Sequence, residues 1–268
     1  MKISVRTITD LNYIMVRRMH ELPQFDMIVG IPRSGLMASL MLGLHMQRTV
    51  LSLDQYCNDN VTSELKTILL LDDSLLRGTE MGMAVERCVR ARPDVKIIRS
   101  AVYVAPGKND MLDFAFETLQ TPRVFPWNIW RSVHLSSIMV DMDGVICRDP
   151  TKEENADRSK YEAFLRHAEP LFLPTRQVQA IVTCRLEMYR AETESWLKRH
   201  NVRTKELIML DMPSAEARQK WNQHGEWKAM HYRRLGGDLF VESCAKQSAI
   251  ISKHGPVFCA RTQQRFPA

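Results

Sequence analysis

The chain of 268 residues is longer than one average domain and long enough for two compact ones of about 130 residues each. Hydrophobic residues make up 45% and charged residues 25%, which excludes a chain dominated by disorder. A formal net charge of +6 points towards a polyanion or phosphorylated substrates, but no run of Lys or Arg exceeds two residues, so nucleic acid is not a required partner. Six cysteines (Cys57, Cys88, Cys147, Cys184, Cys244, Cys259) lie far apart without a CxxC pair. Reduced thiols in a cytoplasmic protein are the expectation. The opening MKISVRTITDLNY has no apolar signal core, and no apolar run approaches membrane-spanning length. No membrane partner is expected.

In chain order, short β-prone runs at 27–31, 50–53, 67–71 and 96–104 alternate with helical patterns at 36–46 and 79–91. The segment 120–136, with two prolines and with Trp127 and Trp130, interrupts the series; its tryptophans are expected to pack between domains rather than line a ligand site. A second series follows, with strands at 137–141, 179–183, 207–210, 239–242 and 257–260 and helices at 158–166, 187–200 and 216–232. The alternation predicts an α/β protein of two doubly wound domains, 1–134 and 135–268, joined near His134. In such sheets ligands bind in the loops beyond the carboxyl ends of the strands.

The run TILLLDDSLLRGTEM places Asp72 and Asp73 at the expected end of a buried strand. Two acids there can accept hydrogen bonds from vicinal sugar hydroxyls. The loop Ser74, Leu75, Leu76, Arg77, Gly78, Thr79 would offer amides and a helix N-terminus to a phosphate. In isolation, such a pair reads more readily as a cap of the next helix. Upstream, IVGIPRSGLMASLMLGLHM reads as strand, tight loop and helix, with Arg33, Ser34 and Gly35 at the turn. Arg33 brings a planar fork suited to phosphate oxygens.

These two motifs, in this order, resemble the phosphoribosyl-pyrophosphate (PRPP) signature of type I phosphoribosyltransferases, with DDS..RGT closest to the form in glutamine amidophosphoribosyltransferases. Leu76 and Arg77 stand where the family loop often has two threonines. The resemblance implies PRPP bound by Arg33, Ser34, Gly35 and residues 72–79, with 54–66 as a shortened lid over the site.

In the second half, SSIMVDMDGVICRDP sets Asp141 and Asp143 at a strand end, with Gly144 after them. One carboxylate is placed for nucleophilic attack and the other for proton transfer to a leaving group. DMDGV resembles the first motif of haloacid dehalogenase (HAD) phosphohydrolases, and three further elements follow in the family's order: Thr183 in IVTCR, Lys228 in EWKAMHY and Glu242 in LFVES. The resemblance implies Asp141 as nucleophile, Asp143 as general acid and base, Thr183 on the phosphoryl group and Lys228 as the cation that offsets charge around the phosphoaspartate. It also implies Mg²⁺ held by Asp141, the carbonyl of Asp143 and Glu242, without a large cap domain. Ser243 and Cys244 stand where many relatives have a second acid.

The joint expectation is a bifunctional enzyme. The first domain transfers phosphoribosyl from PRPP to an unidentified acceptor, a sugar or polyol among the candidates, and the second removes the 5-phosphate. Two alternatives stay open: nucleotide salvage with a 5′-nucleotidase domain, and a non-catalytic PRPP-binding regulator. A homodimer is left open too.

Overall fold

The computed structural model describes residues 3–58 and 64–267. The chain forms two units, Ile8–Arg123 (the front unit) and Met1–Thr7 with Val124–Ala268 (the rear unit). The junction therefore lies upstream of the expected position at His134, and the chain's first residues belong with its second half. The reason is hydrophobic. Ile3, Val5, Val124 and Ile129 are buried in one cluster with Leu135, Ile138 and Val140. Strand β1 (Ser4–Val5) lies in that cluster.

The front unit opens with α1 (Ile8–Arg18), β2 (Met27–Gly30), α2 (Ser34–Met46), β3 (Val50–Ser52) and α3 (Leu53–Asn58). It continues with β4 (Thr67–Leu75), α4 (Thr79–Ala91), β5 (Lys96–Val104) and β6 (Phe114–Thr118). Its five strands are all parallel, in the order β3-β2-β4-β5-β6. Both central runs are unbroken apolar stretches, as strands covered on two faces must be: every residue of β2 is buried, and so are Ile68–Leu71 of β4. Of the segment expected as a lid, 59–63 lies outside the described residues, and its start is the helix α3.

The rear unit resumes at Val124, the second residue of β7 (Arg123–Val124), whose carbonyl accepts the Arg6 amide at 3.3 Å. Then come β8 (Ile138–Val140), α5 (Lys152–Ala156), α6 (Arg158–His167), β9 (Val178–Leu186) and α7 (Arg190–Arg199). β10 (Thr204–Leu210), α8 (Ala215–Trp221), α9 (His224–Leu235), β11 (Leu239–Glu242), α10 (Ala245–Ile251), β12 (Val257–Cys259) and β13 (Gln264–Phe266) complete it. The sheet order is β10-β9-β8-β11-β12-β13, parallel except for β13 at the edge.

Several elements differ from the sequence expectation. β4 and β9 run on to Leu75 and Leu186. The helix expected over 216–232 is two, because Asn222 takes a left-handed conformation (φ 46°) and ends α8. Trp130 stacks on Phe172 inside the rear unit (centroids 5.7 Å apart), and Trp127 stacks on Phe125 (4.9 Å). All six cysteines are free thiols. Among the described residues, no helix is long and apolar enough to cross a membrane.

Candidate functional sites

In the front unit, β2 and β4 are neighbours with Gly30 level with Leu71, so the loop leaving β2 meets the acids on β4. The Ile31 amide donates to the Leu71 carbonyl at 3.0 Å. Gly35, in the first turn of α2, sits directly on Asp72: a Cβ there would lie 2.8 Å from Asp72 Oδ1 and 2.9 Å from the Leu71 carbonyl oxygen. Only glycine allows that approach. The two motifs, far apart in sequence, thus touch through Gly35 and Asp72. The Pro32–Arg33 peptide is cis. Arg33 is exposed, with no ion-pair partner among the described residues.

The acids themselves lie within β4, not after it, because β5 pairs with β4 as far as Leu75 opposite Val104. Asp73 is buried and Asp72 half-buried, and the Asp73 amide donates to Asp72 Oδ1 at 2.9 Å. Burial, and then the adjoining Asp73 carboxylate, push Asp72 well above the ordinary carboxylate range. Two crowded carboxyls of this kind are relieved by hydroxyl donors or by a cation.

The strand extension takes in two of the expected ligands. Ser74 Oγ and the Leu75 carbonyl both accept from Arg123 Nη2, at 3.0 and 2.8 Å. What remains as a loop is Leu76, Arg77 and Gly78, with Leu76, Arg77 and Thr79 exposed. Gly78 has φ +88°, and a Cβ would fall 2.0 Å from Met111 Cε. No side chain caps the start of α4. The first amides of that helix can donate to an anion.

In the rear unit, Asp141 directly follows β8, its amide donating to the Val241 carbonyl on β11 at 2.9 Å. Glu242 ends β11, and Lys228 comes from α9. Lys228 Nζ lies 2.7 Å from Asp141 Oδ2 and 2.7 Å from Glu242 Oε2. Asp141 Oδ1 accepts from the Met142 amide at 2.8 Å, and Glu242 Oε1 from the amides of Ser243 and Cys244 at 2.8 and 3.0 Å. All three groups are buried. Burial, then repulsion from Glu242, push Asp141 well above the usual carboxylate range. Burial would lower Lys228, but the two carboxylates outweigh it and hold the ammonium above its ordinary value.

Asp143 turns the other way. Arg185 grips its carboxylate, with Nη2 2.6 Å and Nε 3.1 Å from Oδ1. Thr183 is buried inside β9, and its Oγ1 accepts the Arg185 amide at 3.2 Å. Among the described residues no three His, Cys, Asp or Glu side chains form a metal cage. The donor set nevertheless suits a hard divalent cation completed by water. Asp143's carbonyl and Glu242 Oε1 converge on Ser243 Oγ, at 3.2 and 3.5 Å, and Asp141 lies across Lys228. Gly144 (φ +75°) keeps the adjoining space open, since a Cβ would meet Ser243 Oγ at 2.6 Å.

Solved structures that overlay about half of this chain include phosphoribosyltransferases. The xanthine-guanine-hypoxanthine phosphoribosyltransferase of Helicobacter pylori is 15% identical and aligns with 47% of this chain and 92% of its own (TM-score 0.41). A purine phosphoribosyltransferase of Pyrococcus horikoshii is 16% identical over 47% and 95% (TM-score 0.39). A hypothetical protein of Neisseria gonorrhoeae, solved with bound ppGpp, is 14% identical over 48% and 90% (TM-score 0.38). No family model and no curated protein matches the chain.

Several site-forming residues have no signal in the sequence. Arg123 reaches Ser74 from the far end of the front unit. Arg185 was visible only as the residue after Cys184 in IVTCR. Asp149, which forms an ion pair with Arg261, lies beside Gly144, its Oδ2 2.8 Å from where a Cβ would stand.

Proposed function

We propose that the chain is a bifunctional enzyme: the front unit transfers phosphoribosyl from PRPP to an acceptor, and the rear unit hydrolyses the phosphate ester of the product. The observation that carries the front reading is Gly35 seated on Asp72. It joins the Arg33 loop, the acidic pair and the uncapped start of α4 at one end of the sheet. Asp72 and Asp73 would accept the ribose hydroxyls, while Arg33 and the α4 amides would hold phosphate groups. The reaction breaks the C1–O bond to pyrophosphate and forms a bond from C1 to the acceptor nucleophile. The residues contribute orientation and charge stabilisation.

The rear reading rests on the Asp141–Lys228–Glu242 triad with Asp143 beside it. Asp141 would attack phosphorus, the ester P–O bond would break, and Asp143 would give a proton to the leaving oxygen. Asp143 would then take a proton from the water that hydrolyses the acyl phosphate, restoring the Asp141 carboxylate. Asp143 first has to leave the Arg185 fork. Asp141, Glu242 and the Asp143 carbonyl would hold Mg²⁺, which supplies charge neutralisation of the phosphoryl oxygens when bound.

The deciding experiment is product analysis by mass after incubation with PRPP, Mg²⁺ and a panel of bases, polyols and sugars. Wild type is expected to release pyrophosphate, inorganic phosphate and a dephosphorylated riboside. Asp141→Asn is expected to stop at the 5-phosphorylated product. Identical phosphorylated products from both proteins would remove the sequential scheme. Binding of PRPP without pyrophosphate release for any acceptor would leave a PRPP-binding regulator.

A further inference from the structure

The rear unit contains a cleft that the acidic triad does not use. Its volume is about 270 Å³, and its wall includes Tyr161, Leu186, Tyr189, Ser214, Glu216 and Arg218. It lies beyond the carboxyl ends of β9 and β10, since Leu186 is the last residue of β9 and Ser214 caps α8 after β10. That is the end of the sheet at which Asp141 and Glu242 stand.

Cleft and acids share a partition. Leu186 follows Arg185, whose guanidinium holds Asp143. Arg218 Nη1 donates to the Cys184 carbonyl at 3.0 Å. Tyr161 lines the same cleft, and burial, then the Asp143 carboxylate, raise its hydroxyl, with Arg185 and Arg218 opposing. An ester whose phosphoryl group sits at Asp141 and whose leaving oxygen faces Asp143 would have its alcohol portion on the side of Asp143 that Arg185 occupies, next to the cleft's Leu186 wall.

The charges on the wall are informative. Arg158 is paired with Glu162, Asp157 accepts from the Lys160 amide and the Ser159 hydroxyl, and Ser214 holds Glu216 below the usual carboxylate range. Arg218 is different. It is half-buried, its Nη1 donates to the neutral Cys184 carbonyl, and it has no carboxylate partner among the described residues. A guanidinium withdrawn from water is stabilised by an anion, and its planar fork suits a carboxylate or a phosphate.

We propose that this cleft receives the leaving group of the rear unit's phosphate ester and that Arg218 recognises a second anionic group on it. The substrate class is then a phosphomonoester with a further negative charge on the alcohol portion. This rests on the phosphohydrolase reading and deepens it: the acceptor that the front unit ribosylates is itself an acid.

The test measures binding and turnover separately. Calorimetry on the non-hydrolysing Asp141→Asn protein compares ribose 1,5-bisphosphate with ribose 5-phosphate. It then compares nicotinate with nicotinamide mononucleotide, which differ by a carboxylate against an amide. One charge-assisted contact predicts at least about tenfold tighter binding of the more anionic member of a pair. Adding Arg218→Gln is expected to abolish that preference, and adding Arg218→Lys to retain part of it, with thermal unfolding confirming that each variant is folded. A preference in the first pair alone assigns the group as phosphate, and in the second alone as carboxylate. Equal affinities within both pairs, or a preference that survives Arg218→Gln, overturn the proposal. If the preference depends on Arg218 but the wild type hydrolyses no ester, aryl phosphates included, the anion cleft stands and the phosphohydrolase reading fails.

Discussion

Lys228→Met tests the central electrostatic argument without assuming any substrate. Lys228 is 2% exposed, and its ammonium lies between Asp141, 6% exposed, and Glu242, fully buried. Methionine keeps a long unbranched stem and removes the charge. Two carboxylates are then left buried without a cation. Breaking a buried ion pair typically costs about 3–5 kcal/mol. The loss is not larger, because Asp141 keeps the Met142 amide and Glu242 keeps the amides of Ser243 and Cys244. For a unit of this size that corresponds to a fall of about 10 °C in the rear-unit Tm. All five tryptophans, Trp127, Trp130, Trp196, Trp221 and Trp227, fall in the rear unit, so tryptophan fluorescence during urea unfolding reads this unit selectively. Burial already raises Asp141 in the wild type, and loss of the ammonium that opposes this shift raises it further, so the variant's folded state holds a proton over a range where the wild type has lost it. Its deficit should therefore grow as pH rises through the raised folded pKa of Asp141 and shrink as pH falls below it. Lys228→Met with Glu242→Gln should recover part of the loss. A deficit below about 1 kcal/mol at pH 7, or one independent of pH, would refute the reasoning.

Replacing Asp72 and Asp73 together by Asn should weaken PRPP binding at least about tenfold by calorimetry, as loss of charge-assisted hydrogen bonds implies. Unchanged affinity would sink the front site. Gly78→Ala meets both a positive φ and Met111, and should destabilise the α4 start by about 1–3 kcal/mol, visible as faster amide hydrogen exchange in its first turn. The hydrogen bond from Arg148, then the Thr151 amide, lower Glu154 to about 2. Its contribution should be complete above the unfolded value of about 4.3 and lost as pH falls through about 2. The stability difference between wild type and Glu154→Gln in urea should therefore vanish at the acid end; a gap that persists there would contradict the assignment.

The front acids show how far local sequence reaches. TILLLDDSLLRGTEM announced a buried strand, two acids and a helix start, because an unbroken apolar run followed by Gly and Thr has a local meaning. Its end was misplaced. β4 runs to Leu75 because β5 pairs with it and Arg123 takes the Leu75 carbonyl, and both partners are remote in sequence. The same holds for β9, where Arg185 continues the strand so that its side chain can hold Asp143. The division between the units, at Arg123 rather than near His134, has a related cause: residues of the N-terminus add to the rear core, and a packing partner across more than a hundred positions leaves no periodic trace.

In the rear unit the sequence alone determined which residue types occur in which order: two acids after a strand, a threonine, a lysine on a helix and a glutamate at a strand end. It also determined the parallel α/β character, since apolar strands and amphipathic helices are local patterns. Only the tertiary structure decided which charges meet. Lys228 spans Asp141 and Glu242, Arg185 withdraws Asp143, Ser243 links the Asp143 carbonyl to Glu242, and Arg218 stands beside a cleft with no acid partner among the described residues. The reason is physical. Propensity and periodicity act over one or two turns of chain, whereas the energy of a buried charge depends on whatever the fold brings within a few ångströms of it.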